Sequence, residues 1–214
     1  MNNQPFKIFT CRLLAAATFL ALLCTASASE KKAVTIDLKE VRQELTELQG
    51  HISDTIAALE VVKKTAKSKG DLTPPFTAFQ THYQQLQAQI DTVRSHANLL
   101  RARADDHYRA WQDELSKMGN PKLREKALDR YDDAKEEFDE IIVIAQEVKR
   151  DLDPFMTDLR DVSSYLSTDL SNDAVKSLSN TIFKLGNKSR SLIGGIKHVN
   201  GQIEKALEAQ PEAK

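Results

Sequence analysis

The sequence predicts an all-α protein: an elongated antiparallel helical bundle, or coiled coil, of about four long helices with no β-sheet. Apolar residues recur at alternating three- and four-residue spacings through four successive blocks, a pattern typical of long helices that bury one stripe against other helices. The 214 residues include only 7 glycines and 6 prolines, so turns are few and the elements are long. No segment alternates apolar and polar residues with a period of two, as a half-buried strand would.

The N-terminal segment, residues 1–28, is typical of a secretory signal peptide. Lys7 and Arg12 supply positive charge, an apolar stretch follows, and small residues precede the predicted cleavage between Ala28 and Ser29. The apolar stretch is shorter than the roughly 20 residues that span a bilayer. We therefore expect an exported protein, periplasmic rather than stably transmembrane, with a retained anchor as the alternative.

Both cysteines of the chain, Cys11 and Cys24, lie in this segment. After cleavage the chain has neither thiol nor disulfide, which suits an oxidising compartment. A lipoprotein signal would acylate Cys24, but Leu23 stands where a small residue is expected.

Residues 29–210 are predicted to form a single helical-bundle domain. Each of its four blocks of apolar residues is bounded by residues that favour helix ends. The predicted helices span residues 35–69, 74–118, 121–166 and 172–208, and a frayed tail occupies 211–214.

The predicted helix ends follow from capping residues. Gly70 is expected to be the left-handed cap of the first helix, and Thr73-Pro74 the N-cap and first residue of the second. Gly119-Asn120-Pro121 combines a C-terminal glycine, an N-cap and a proline at the first helical position. Ser171 or Asn172 is expected to cap the fourth helix.

The third block passes through Asp153-Pro154, a dipeptide that could also begin a new helix. The apolar spacing continues across it without a shift, at Val148, Leu152, Phe155 and Leu159. We therefore expect one long helix with a kink at Pro154.

The charge distribution gives no sign of nucleic-acid binding. The formal net charge is −1, whereas proteins that bind phosphate backbones usually carry a basic surplus. One local surplus, Lys63, Lys64, Lys67 and Lys69, lies at the end of the first predicted helix. We interpret these lysines as a solvated helix end that complements the helix dipole, rather than as a phosphate or lipid site.

No catalytic, cofactor-binding or metal-binding residue is predicted, and we expect no enzymatic activity. Bundles that bind paired iron need inward glutamates and Glu-x-x-His, but none of the five histidines has a glutamate three residues before it. The predicted apolar stripes contain no Asp or Glu. One alternative stays open, because His107 lies on a stripe one turn before Trp111: a periplasmic bundle that carries haem, a metal or a lipid there.

Two segments suggest contact with a partner. Ile142, Val143 and Ile144 extend an apolar stretch around every side of the third helix, so they are either a partner surface or a wider core. Four of the seven glycines lie in the last helix, which is therefore either closely packed or able to detach and touch a membrane surface. These glycines are Gly186, Gly194, Gly195 and Gly201.

The second half of the chain also carries short motifs. They are Trp111-Gln-Asp-Glu114-Leu115, Leu123-Arg124, Arg130-Tyr131, Asp153-Pro154, Arg160-Asp161 and Leu166-Ser-Thr-Asp-Leu170. In these motifs the chain resembles the bacterial domain of unknown function family twenty-nine fifty-nine. The resemblance implies export and a helical fold, and implies no activity. The turn before the last helix lacks the histidine and lysine of the family pattern, so no role of those two groups carries over.

The sequence therefore predicts an exported, non-enzymatic coiled-coil protein of the cell envelope. We expect it to act by protein–protein contact, as a scaffold, an adaptor or a chaperone-like protein, through a partner protein or through self-association.

Overall fold

The computed structural model describes the backbone of residues 11–208 and the side chains of residues 37–208. Over this part the chain contains helices and turns and no strand, which confirms the all-α prediction. Its helices are α1 (Cys11–Lys67), α2 (Thr73–Lys117), α3 (Pro121–Thr168), α4 (Asn172–Ser177) and α5 (Ser179–Glu208).

The start of α1 differs from the sequence prediction. The helix already includes Cys11, the first described residue, instead of beginning near residue 35, because residues 11–34 are rich in leucine and alanine, which have high helix propensity. The predicted cleavage site between Ala28 and Ser29 lies within this helix, and the side chains there are outside the described set. Residues 1–10 of the predicted signal and the predicted tail at 211–214 also lie outside the described residues.

Helices α1 and α2 make the most extensive contact in the molecule and run in opposite directions. The Thr55 hydroxyl of α1 donates to the His82 carbonyl of α2 over 3.2 Å. Further along, the Gln89 amide of α2 donates to the Glu44 carbonyl of α1 over 3.1 Å. The two helices are therefore antiparallel.

Helix α5 packs against both α1 and α3. Toward α1, Arg42 pairs with Glu204 over 2.8 Å. Toward α3, Gln202 donates to Glu140 over 3.2 Å, and Lys188 pairs with Asp158 over 2.6 Å. The two contacts with α3 show that α5 runs opposite to it as well.

One continuous hydrophobic core joins these helices. Its largest fully buried side chains all occupy positions of the predicted apolar stripes, so the three- and four-residue spacing identifies the inward face correctly. They are Leu48, Ile52, Leu59, Phe79, Leu86, Phe155, Leu159, Leu166, Ile182, Leu185, Ile196 and Ile203.

Two of the predicted N-caps are confirmed. The Asn120 side chain accepts hydrogen bonds from the backbone amides of Lys122 and Leu123, at 3.1 and 3.4 Å. The Ser171 hydroxyl accepts from the amide of Ala174 over 3.2 Å. Each side chain thus satisfies amides that the first helical turn leaves unpaired. Helix α3 continues through Pro154, as the unbroken apolar spacing predicted.

The left-handed cap of α1 is Lys69 and not Gly70, so that prediction is wrong. Lys69 has a φ of 56°. Its amide donates to the Ala66 carbonyl over 3.2 Å, and the Gly70 amide donates to the Thr65 carbonyl over 3.0 Å. These two bonds form a Schellman motif, which ends the helix one residue earlier than the glycine suggested.

The predicted N-cap Thr73 is also wrong, because Thr73 is already the first residue of α2. Leu72 occupies the capping position without a side-chain bond, and the carboxylate of Asp71 accepts the Thr73 amide over 2.9 Å. This backbone hydrogen bond lowers the pKa of Asp71, because it stabilises the ionised carboxylate.

The predicted fourth helix is divided into α4 and α5 at Leu178. Leu178 has φ −84° and ψ 0°, so its carbonyl turns away from the helical direction. Its amide is shared between the carbonyls of Ala174 and Val175, at 3.3 and 3.2 Å. Its own carbonyl accepts the Ile182 amide over 2.9 Å, and with that bond α5 begins.

Candidate functional site

The α2–α3 hairpin extends beyond the hydrophobic core. The core includes α2 up to Ala104 and α3 from Phe138 onward. Gln202, close to the described end of α5, contacts Glu140 of α3. The residues between Ala104 and Phe138 therefore extend past that end of α5. We call residues 105–137 the hairpin tip.

An aromatic cluster holds the two helices of the hairpin tip together. Tyr131 of α3 receives the rings of Tyr108 and Trp111 of α2 edge to face, at centroid distances of 5.9 and 5.5 Å. Tyr108 also meets Phe138 at 5.9 Å. Edge-to-face pairs of this kind are favourable because the positive edge of one ring meets the negative face of another.

Tyr108 is the polar link between the two helices of the hairpin tip. Its hydroxyl donates to the Ala134 carbonyl of α3 over 2.8 Å. Burial raises the pKa of Tyr108 above the ordinary value of 10.0, and the carboxylates of Asp139 and Glu137 act in the same direction. The Tyr108 hydroxyl therefore stays protonated and can donate this hydrogen bond.

The end of the hairpin tip exposes large apolar side chains. Leu123 is 60% exposed, and Met118 and Leu128 are also exposed. They lie on either side of the turn at Gly119-Asn120, within a surface that is otherwise charged. No stripe of the predicted pattern includes them, so the apolar spacing gives no sign of this surface.

Two carboxylates at the α1–α2 interface were missed as well. Asp37 is buried and pairs with Arg103 over 2.6 Å. Glu44, seven residues later, pairs with His96, which precedes Arg103 by seven. Each carboxylate comes directly before a buried apolar residue, a flanking position from which coiled coils form interhelical ion pairs. The matching seven-residue spacing, between Asp37 and Glu44 on α1 and between His96 and Arg103 on α2, is the signal that could have revealed both pairs.

The predicted partner surface is only partly accessible. Ile142 and Ile144 are partly buried and pack against the core, whereas Val143 is 57% exposed. The exposed apolar surface at this point of α3 is therefore limited to Val143.

The predicted ligand position at His107 and Trp111 belongs to the aromatic cluster. The two rings lie 5.8 Å apart, and His107 also meets the ring of Tyr108 at 5.6 Å. Among residues 37–208, no group of three or more His, Cys, Asp or Glu side chains is placed to hold a metal ion. Trp111 also contacts Tyr131, which joins this position to α3.

Within the described residues, no helix combines the length and the apolar character needed to cross a membrane.

A family model described as "Protein of unknown function (DUF2959)" matches residues 26–209. The chain belongs to this family. The match confirms the resemblance found in the motifs of the second half, and it also covers the helices of the first half. No curated protein and no solved structure matches the chain. Membership assigns no activity.

Proposed function

We propose that this member of the family is an exported, non-enzymatic protein of the cell envelope that acts by protein–protein contact through the hairpin tip. Export is supported by the charged, apolar and small-residue order of the first 28 residues. The family match begins at residue 26, beside the proposed cleavage between Ala28 and Ser29.

We also infer that α1, α2, α3 and α5 form one elongated antiparallel bundle with coiled-coil contacts. The hydrogen bonds and ion pairs between neighbouring helices, which run in opposite directions, support this arrangement. Helix α2 alone has 45 residues, a length of about 70 Å at 1.5 Å per residue. The hairpin tip lies at one end of such a bundle.

The observation that carries the proposal is the exposure of Leu123, Leu128 and Met118 at the hairpin tip. Contact of large apolar side chains with water is unfavourable by about 25 cal/mol for each Å² of apolar surface. Three such side chains lie within the eleven residues from Met118 to Leu128, and a local concentration of exposed apolar surface is typical of protein-binding sites. A helical hairpin held rigid by its own aromatic cluster loses little conformational freedom when it inserts into a groove of another protein.

Site-specific cross-linking in whole cells tests this proposal. A photo-activatable amino acid replaces Leu123 in one variant and Phe183 in the control. Phe183 is a matched control because its side chain is 59% exposed, on α5 and away from the hairpin tip. We expect a discrete cross-linked protein from position 123 and none from position 183. Replacing Leu128 by serine should abolish the product.

Other outcomes contradict the proposal in distinguishable ways. Equal cross-linking from both positions would indicate non-specific contact. A product that contains only a second copy of this chain would indicate self-association instead of a partner protein, and sedimentation of the purified protein would then show a dimer. The same cross-linker at Val143 tests the surface that the sequence predicted.

A further inference from the structure

A cavity of about 480 Å³ lies where the end of α1 meets α4 and the start of α5. A short turn joins this end of α1 to the start of α2, so the cavity is at the end of α2 away from the hairpin tip. Two buried apolar residues, Ala66 and Val175, contribute to its lining. Its charged lining consists of four lysines and one carboxylate: Lys63, Lys67, Lys69, Lys176 and Asp173.

The cavity has an excess of positive charge. Lys63 is already paired with Glu60, at 3.0 Å. Among the described residues, Lys67, Lys69 and Lys176 form no ion pair, and Asp173 is the one carboxylate in the lining. The three unpaired ammonium groups therefore outnumber the carboxylate that faces them.

Lys69 occupies a backbone conformation that a glycine would adopt more easily. Its φ of 56° lies in the left-handed region, where the side chain of an L-residue approaches the backbone unfavourably. The next residue is Gly70, so the glycine is adjacent to the left-handed position but does not occupy it. Lys69 thus lines the cavity from the left-handed position of the α1 cap.

Compensation of the α1 dipole, the interpretation that the sequence favoured, does not account for all of these features. Lys67 lies in the last turn of α1, where that explanation applies. Lys176 lies in the last turn of the six-residue helix α4, so the same explanation applies to it there. The dipole of one helix does not explain, however, why lysines of two different helices line the same cavity.

We propose that this cavity binds a phosphate group carried by an organic molecule. Lysine ammonium groups bind phosphate oxygens as mobile point charges with strong charge-assisted hydrogen bonds. A carbon chain next to the phosphate can lie along the aliphatic parts of the same lysine side chains. The phosphate can belong to a soluble phosphate ester or to the headgroup of an anionic phospholipid, and both supply the same chemistry.

Titration calorimetry on the purified full chain tests this site with two probes. The first is glycerol 3-phosphate, and the second is phosphatidylcholine vesicles prepared with and without phosphatidylglycerol. The cavity variant carries Lys67→Gln and Lys176→Gln. The matched control carries Lys122→Gln and Lys126→Gln, which remove the same charge from exposed positions of the hairpin tip.

We expect saturable binding of at least one probe, weakened about tenfold or more by the cavity variant and unchanged in the control. Binding of glycerol 3-phosphate identifies a soluble ester as sufficient, whereas binding of only the vesicles that contain phosphatidylglycerol identifies a lipid headgroup. Absence of binding to both probes, or equal loss in both double variants, would overturn the proposal.

Lys69→Gly separates a binding role from a structural one. Because glycine relieves the left-handed conformation, this variant should fold with a melting temperature about 2 °C higher. It should nevertheless bind the same probe several-fold more weakly. A variant with a higher melting temperature and unchanged affinity would show that Lys69 does not contribute to the site.

Discussion

The two ends of the α2–α3 pair are stabilised in different ways. Around Phe79 and Phe155, side chains of α1, α2, α3 and α5 form one continuous core. At the hairpin tip, α2 and α3 are held by Tyr108, Trp111 and Tyr131, and leucines on the surface stay exposed. Apolar stripes of one period therefore form a core of several helices in one region and an aromatic contact between two helices in the other. The difference is in how many helices surround the repeat.

The largest expected effect is the loss of stability when a buried phenylalanine, and not an exposed one, is replaced by alanine. Phe155 is fully buried, whereas Phe183 is 59% exposed. Phe155→Ala should lower the free energy of unfolding by about 3–5 kcal/mol, because it leaves a cavity that the neighbouring helices fill only in part. Phe183→Ala should change it by less than about 0.5 kcal/mol. Urea denaturation followed by circular dichroism measures both, and equal effects would contradict the contrast between core and surface.

The core face could be predicted because helical periodicity reports which side of a helix is buried. Leu48, Leu86, Leu166 and Ile196 each occupy the predicted apolar stripe of a different helix, and each of them is almost fully buried. The spacing does not report the number of neighbouring helices. For that reason it gave no indication that the stripe through Tyr131 would pass from the closed core to the hairpin tip.

Helix ends and interface charges were predicted less completely. Asn120 and Ser171 cap their helices through their own side chains, so their residue types alone reveal them. Lys69 adopts the left-handed conformation through backbone bonds to the preceding turn, which any residue type can form. The pair of Asp37 and Arg103 joins residues 66 positions apart, so it becomes visible only when the seven-residue spacings of two helices are compared.

The hairpin tip has its own polar contact that can be tested. Tyr108→Phe removes the hydroxyl that donates to the Ala134 carbonyl, and should destabilise the protein by about 1 kcal/mol at neutral pH. The effect is smaller than that of Phe155→Ala because the aromatic ring remains. Thermal and urea unfolding monitored by Trp111 fluorescence reports this region, since Trp111 is the one tryptophan of the chain.

The same variant gives a pH dependence with a defined sign. The pKa of Tyr108 is raised above 10.0 in the folded protein, so folding favours the neutral phenol. Its stabilising contribution is complete below pH 10, and is lost as the pH rises from the unfolded pKa through the folded one. The difference in stability between wild type and Tyr108→Phe should therefore shrink above pH 10. Tyr83, whose pKa burial also raises, is unchanged in both proteins. A constant difference up to strongly alkaline pH would show that Tyr108 does not titrate in this way.

The smallest expected effect concerns α5, the helix that closes the core on the side of α1 and α3. A Cβ at Gly194 would meet no atom within 4 Å, whereas a Cβ at Gly195 would lie 2.9 Å from Val148 Cγ2. Gly194→Ala should therefore stabilise the protein by up to about 1 kcal/mol, because alanine restricts the unfolded chain and favours the helix. Gly195→Ala should gain less or lose stability, since the branched Val148 side chain has to move.

These two adjacent glycines distinguish the alternatives that the sequence left open for α5. Close packing explains Gly195 only, because Gly186 and Gly201, like Gly194, have room for a Cβ. If Gly194→Ala raises the urea midpoint and Gly195→Ala does not, α5 contains helix-weakening residues that the core does not require. Equal stabilisation by both would instead show that the contact with Val148 relaxes freely, and that none of these glycines is needed for packing.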